Sequence, residues 1–93
     1  MSREPFAVEL TKNFLKSYPD KETLRAFIGG LNVLTVRERA LLVMRYCDGL
    51  PLKCFAARYG VSERWAKTLA AQAVERSSPF VYAAVVKAFA ASL

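Results

Sequence analysis

The chain has 93 residues and 10.4 kDa, 54% of them hydrophobic and 24% charged, which predicts one small folded domain with a thin stability margin. It contains no histidine and two cysteines, Cys47 and Cys54, which excludes imidazole acid–base and nucleophilic chemistry, His-containing metal sites and a disulfide scaffold. A net charge of +6 and a pI near 9.7 favour a polyanionic partner, either nucleic acid or an anionic membrane surface.

The pattern is helical throughout, and no stretch alternates as a strand does. A first helix is expected over 5–17, with Phe6, Leu10, Phe14 and Tyr18 recurring every four residues as its apolar stripe and Lys12 and Lys16 on other faces. Pro19 ends it, and Asp20 caps a second helix whose inner side carries Leu24, Phe27, Ile28 and Leu31. Gly29-Gly30 is a C-terminal stop, glycine being able to adopt the left-handed conformation there. Thr35-Val36-Arg37-Glu38 has the hydroxyl and carboxylate spacing of a capping box and opens a third helix through Leu41, Leu42, Met44, Arg45 and Tyr46 to Asp48-Gly49. Glu38 and Arg45, two turns apart, read as structural groups, and the two cysteines as small apolar ones. Pro51 suits the first turn of a fourth helix reaching Tyr59. Ser62 caps a fifth helix running to about Arg76. Ser77-Ser78-Pro79 reads as a short joint before a sixth helix over 80–92.

The stretch 52–72 has the form of a helix-turn-helix: a short helix, a glycine turn and a capped second helix. Ala56 permits close helix approach, Gly60 supplies a positive backbone angle, Val61 fills the space beneath the turn, and Ala66, Leu69, Ala70 and Ala73 face inward toward Phe55 and Tyr59. The opposite face carries Arg64, Lys67, Thr68, Ala71 and Gln72, with Trp65 at its flank. These types suit a major groove: Arg and Lys for phosphates or guanine edges, Gln for adenine, Thr and Ala for thymine methyls. Arg58 and Ser62 are placed to touch the backbone. Residues 45–76 also hold the densest positive charge, a net +3.

With the preceding helix added, the segment 34–75 resembles region 4 of bacterial RNA polymerase sigma factors. The similarity rests on Leu34-Thr35, Arg37-Glu38-Arg39, the apolar run 40–44, Arg45-Tyr46, Asp48-Gly49-Leu50, Phe55-Ala56 and Gly60-Val61-Ser62-Glu63. LuxR-type DNA-binding domains share its Leu-Thr-x-Arg-Glu opening. The resemblance implies an all-α fold, promoter reading by the helix after Gly60 through Arg64, Lys67 and Thr68, and contacts with polymerase or activators on other faces. Phe55 stands where a smaller aliphatic is usual, Lys53-Cys54 replaces an acidic pair, and Trp65 replaces a small polar residue. The chain has no room for the family's core-binding and melting region.

The expected architecture is therefore an all-α bundle of five to six helices: a helical pair over 1–31, the helix-turn-helix over 34–76 and an apolar C-terminal helix over 79–93. Trp65 has three readings: an aromatic covering the helix pair, a DNA contact, or an anchor for a protein partner. The last helix has almost no polar face. It either wedges between the first two helices or offers Phe80, Tyr82 and Phe89 to a partner. Two functions follow. One is a DNA-binding regulator contacting duplex DNA through Arg58, Ser62, Arg64, Trp65, Lys67, Thr68, Ala71 and Gln72, with a homodimer as one arrangement. The other is an interaction protein that binds a transcription activator or RNA polymerase subunit through Trp65, Phe80, Tyr82 and Phe89. No catalytic residue, metal or cofactor is expected. With no signal core in residues 1–9 and no spanning stretch, the expected location is the cytoplasm.

Overall fold

The computed structural model describes residues 5–92 and is all-helical, with no strand among them. The order is α1 (Pro5–Ser17), α2 (Lys21–Gly29), α3 (Val36–Leu42), α4 (Leu52–Tyr59) and α5 (Glu63–Ala91), with one π-helical turn over Val43–Cys47 prolonging α3. Residues 1–4 of the expected N-terminal pair and Leu93 of the apolar C-terminal run lie outside the described residues.

Side-chain caps set the starts of α2, α3 and α5. The Asp20 carboxylate accepts from the amides of Glu22 at 3.1 Å and Thr23 at 3.3 Å, satisfying donors that the first turn of α2 leaves open. These bonds hold its pKa below the usual carboxylate value, the Thr23 hydroxyl contributing most. At α3 the capping box is closed in both directions: Glu38 N–H donates to Thr35 Oγ1 at 3.2 Å, and Thr35 N–H donates to Glu38 Oε1 at 2.8 Å. Ser62 caps α5 by accepting from Trp65 N–H at 3.0 Å.

The helix ends differ from one another. Gly60 closes α4 in the left-handed conformation at φ +65°, and Gly49 follows the π turn at φ +69°. The Gly29-Gly30 stop works otherwise. Gly30 stays right-handed at φ −88°, and its amide returns to the carbonyls of Ala26 and Phe27, so the left-handed expectation does not hold there. Two bonds from Arg39 Nη1, to Leu31 O at 3.1 Å and Leu34 O at 3.0 Å, then pin the α2–α3 loop.

The largest correction concerns 77–79. The expected joint is absent: α5 runs unbroken for 29 residues through Pro79. At about 1.5 Å per residue it is roughly 43 Å long, close to the molecule's longest extent of 46 Å. Its inward positions Ala66, Leu69, Ala73, Ser77 and Val81 keep helical spacing straight across the serines. Both serines are buried. Ser77 Oγ donates to the carbonyls of Ala73 and Val74 at 2.8 and 3.0 Å, and Ser78 Oγ donates to that of Val74 at 3.0 Å. Ser78 Oγ in turn accepts from Thr11 of α1 at 3.0 Å. Proline fits the helical φ and its ring lies on the solvent side, and what it forfeits is the amide bond to the Glu75 carbonyl one turn back.

That packing changes which face of α1 is inside. Thr11 and Leu15 are fully buried, Phe14 and Tyr18 are half-buried against Phe27, and Phe6 is 65% exposed. The four-residue stripe from Phe6 to Tyr18 is therefore only the edge of the contact. The second half of α5 lies along α1, with Val81 buried and Ala84 and Ala88 facing Leu24 and Phe27 of α2 across a cleft, and leaves Phe80, Tyr82, Val86 and Phe89 exposed. It is not wedged between the two helices.

Two substitutions test this backbone. Pro79→Ala, which restores an interior helical amide, is expected to raise stability by up to about 3 kcal/mol in chemical denaturation. At the start of a separate sixth helix the same change would lower it. Gly60→Ala has open space around its new methyl but a left-handed φ. It should cost about 1 kcal/mol, read as a lower denaturation midpoint with an unchanged slope.

Candidate nucleic-acid interface

Positioning of the second helix of the helix-turn-helix begins in the core. Phe55 and Ala56 of α4 and Ala66, Leu69 and Ala73 of α5 are buried together, so small residues set how closely the two helices approach. Val61 packs half-buried against this cluster beneath the turn. A polar tie fixes α5 against α3. Arg76 Nη1 lies 3.4 Å from Glu38 Oε1, the same oxygen that accepts from the Thr35 amide. The Glu38 side chain is 2% exposed, so its charge relies on these donors in place of water. Arg25 and Asp48, 2.9 Å apart, tie α2 to the residue after the π turn.

With α5 held in this way, Arg64, Lys67, Thr68, Ala71 and Gln72 are all exposed on its first three turns. Arg58, at the last turn of α4, and Ser62, at the cap, are exposed on either side of the Gly60 turn. The Thr68 hydroxyl donates to Arg64 O at 3.3 Å, which leaves its lone pairs and methyl facing outward. Among the described residues, none of Arg58, Arg64 and Lys67 has a carboxylate within ion-pair distance. Arg64, Lys67, Glu63 and Leu52 line an open cleft of about 320 Å³.

Trp65 is neither enclosed nor free-standing. It is 41% exposed, and the Arg37 guanidinium sits 5.8 Å from its ring centre and 5.6 Å from that of Tyr59. The cation thus bridges the first helix of the motif to α4 and α5 by interaction with two aromatic faces. The residues named for a protein partner do not gather into one patch. Phe80, Tyr82 and Phe89 are in the second half of α5, and Phe89 lies about 36 Å along the axis from Trp65.

Arg45, Lys12 and Lys16 lie outside the face that the helix-turn-helix pattern singles out. Arg45 is exposed on the π turn. With Lys12, Lys16 and Tyr46 it lines a cleft of about 410 Å³ that holds no carboxylate among the described residues. Burial pushes the Tyr46 phenol above its ordinary pKa despite the opposing pull of Arg45, so it stays a neutral donor at pH 7. The two lysines were visible in the sequence as an i, i+4 pair; which helix they would meet was not. Cys47 and Cys54 are free and partly buried at the edge of the core. Burial raises the Cys47 pKa, so that thiol is not a poised nucleophile. No group of metal-ligating side chains occurs among the described residues, and no helix is long and apolar enough to cross a membrane.

Comparison with known proteins agrees with this geometry. The family model described as Sigma-70, region 4 matches residues 30–76, from the end of α2 to the Arg76 that pairs with Glu38. Neither the curated proteins nor the solved structures give a match. The match covers half of the chain and the whole helix-turn-helix; this chain belongs to the sigma-70 region 4 family, a family of helix-turn-helix, DNA-binding type domains related to transcription.

Proposed function

We propose that the chain is a small DNA-binding transcriptional regulator whose α5 enters the major groove with its first three turns. The observation that carries this reading is the exposed face of Arg64, Lys67, Thr68, Ala71 and Gln72, whose two cations have no carboxylate within ion-pair distance among the described residues, following a Ser62-capped start in a member of a DNA-binding family. Arg64 and Lys67 supply charge for phosphate or guanine edges. Gln72 and Thr68 supply donors and acceptors for base edges, and Ala71 keeps the helix close to the groove floor. Arg58 and Ser62 address the backbone beside the turn, and Trp65, braced by Arg37, borders the reading face. A net charge of +6 assists encounter with the duplex.

A second reading is favoured by one observation. Tyr82, Val86 and Phe89 recur at i, i+4 and i+7 on the second half of α5 and are exposed, Phe89 by 66%. On that reading the helix binds a transcription activator, a polymerase subunit or a second copy of the chain.

Titrating salt separates the two. Binding to a duplex selected from a random pool, followed by fluorescence anisotropy, should weaken steeply with salt. Arg64→Ala/Lys67→Ala should reduce the slope of log K against log salt by about two, each phosphate contact releasing about one counterion. Absence of salt-sensitive binding to any duplex would overturn the DNA reading. If the chain acts on a protein instead, Phe89→Ser removes its regulatory effect in a reporter assay and Arg64→Ala/Lys67→Ala leaves it intact.

A further inference from the structure

The family match begins at residue 30, so α1 lies outside it, yet α1 packs directly on α5. The lysines of α1 join the basic surface of the helix-turn-helix through shared side chains. Lys12 and Lys16, one turn apart, face Arg45 and Tyr46 across the 410 Å³ cleft. A neighbouring cleft of about 290 Å³ is lined by the same Lys12, Arg45 and Tyr46 and reaches Leu52, Lys67 and Ala71 of the groove-facing side. Lys67 in turn shares the third cleft with Arg64. Shared linings therefore connect five cations, with Lys16 at one end, Lys12 and Arg45 in the middle, and Lys67 and Arg64 at the other end. Among the described residues, the lining of the first two clefts holds no carboxylate. The ion pair on this track, Lys12 with Glu9, is loose at 3.9 Å and solvent-exposed, too weak to hold the ammonium away from a stronger anion.

We infer that Lys12 and Lys16 of α1 form an accessory contact to the DNA backbone, gripping phosphates that flank the segment read by α5. The inference rests on the duplex reading above and extends it beyond the family's segment. The ligand chemistry follows from the arrangement. Exposed, strung-out cations suit a polyanion with regularly spaced charges, whereas a small anion needs a converging, enclosed set. A duplex presents one phosphate charge per about 1.7 Å of axis, so a surface that continues the reading helix sideways meets the same backbone. The neutral Tyr46 phenol, which lines both clefts with Lys12 and Arg45, is a directional donor for a phosphate oxygen. Such contacts carry affinity and orientation but no sequence preference.

The test uses the full 93-residue chain and the variant Lys12→Gln/Lys16→Gln, whose altered side chains are exposed. Circular dichroism and thermal melting check that the variant folds as the parent does. Both proteins are titrated with the selected duplex and with a scrambled duplex between about 50 and 200 mM salt. The expected result is a slope shallower by about two, weaker binding at low salt to both duplexes, and an unchanged ratio between them. A variant with the parent's slope and affinity overturns the accessory contact and leaves the major-groove reading standing. A parent chain that binds no duplex in a salt-sensitive way overturns both. A changed ratio between the duplexes with an unchanged slope also overturns it, since the lysines would then be setting the pose of α5 and not holding phosphate.

Discussion

One constraint governs this molecule: α5 is at once the second helix of the helix-turn-helix and the spine on which the rest of the chain packs. Its first half is buried against α3 and α4 through Ala66, Leu69 and Ala73, and its second half against α1 through Ser77, Ser78 and Val81. A break at 77–79 would uncouple α1 from the motif. The unbroken helix makes α1 part of the same rigid unit as the face bearing Arg64 and Lys67. The hydroxyl chain from Thr11 to Ser78 to the Val74 carbonyl is where that coupling is polar. Each buried oxygen there has a partner, so the serines add no unsatisfied group to the core.

The second fixed point is the buried carboxylate of Glu38. It closes the capping box of α3 and receives Arg76 from α5, so one side chain sets both the start of the motif and the angle of its last helix. Removing a buried charge's partner is expensive because the charge is left without donors. The outer pairs, Arg25 with Asp48 and Lys12 with Glu9, are solvent-exposed and add far less. Arg37 does comparable bracing work at the surface by spanning the rings of Tyr59 and Trp65. That contact gives Trp65, an unusual residue at its place in the family pattern, a fixed orientation beside the reading face.

The charge distribution follows from the same packing. Sequence position separates Lys12 and Lys16 from Arg64 and Lys67 by some fifty residues. The α1–α5 contact sets them on one surface, with Arg45 on the π turn as the link. The exposed apolar row of Tyr82, Val86 and Phe89 occupies the other end of α5, where Lys87 is the one cation among the described residues. A helix of this length can present two unlike partners with two separate surfaces and needs no hinge between them.

Features set by short-range chemistry could be read directly. The capping box at Thr35 and Glu38, the Asp20 and Ser62 caps, the left-handed Gly60 and the inward set Ala56, Ala66, Leu69 and Ala73 each depend on residues within one or two turns. The all-α class and the helix-turn-helix follow from those. Where several residues compete for the same core, neighbours in space decided. Ser77-Ser78-Pro79 has the composition of a joint, and only burial against Thr11 makes the serines interior and keeps the helix whole. The inner face of α1 centres on Thr11 and Leu15, with Phe6 exposed, for the same reason: α5 presents the Ser78 hydroxyl there, and Thr11 meets it. The regular spacing of Arg45 from Glu38 says nothing of its neighbours in space; on the π turn at Val43–Cys47 it is exposed beside the lysines of α1. Helix starts and turns are encoded within a few residues; the joining of α1 to the cationic face depends on contacts between segments far apart in the chain, which periodicity does not record.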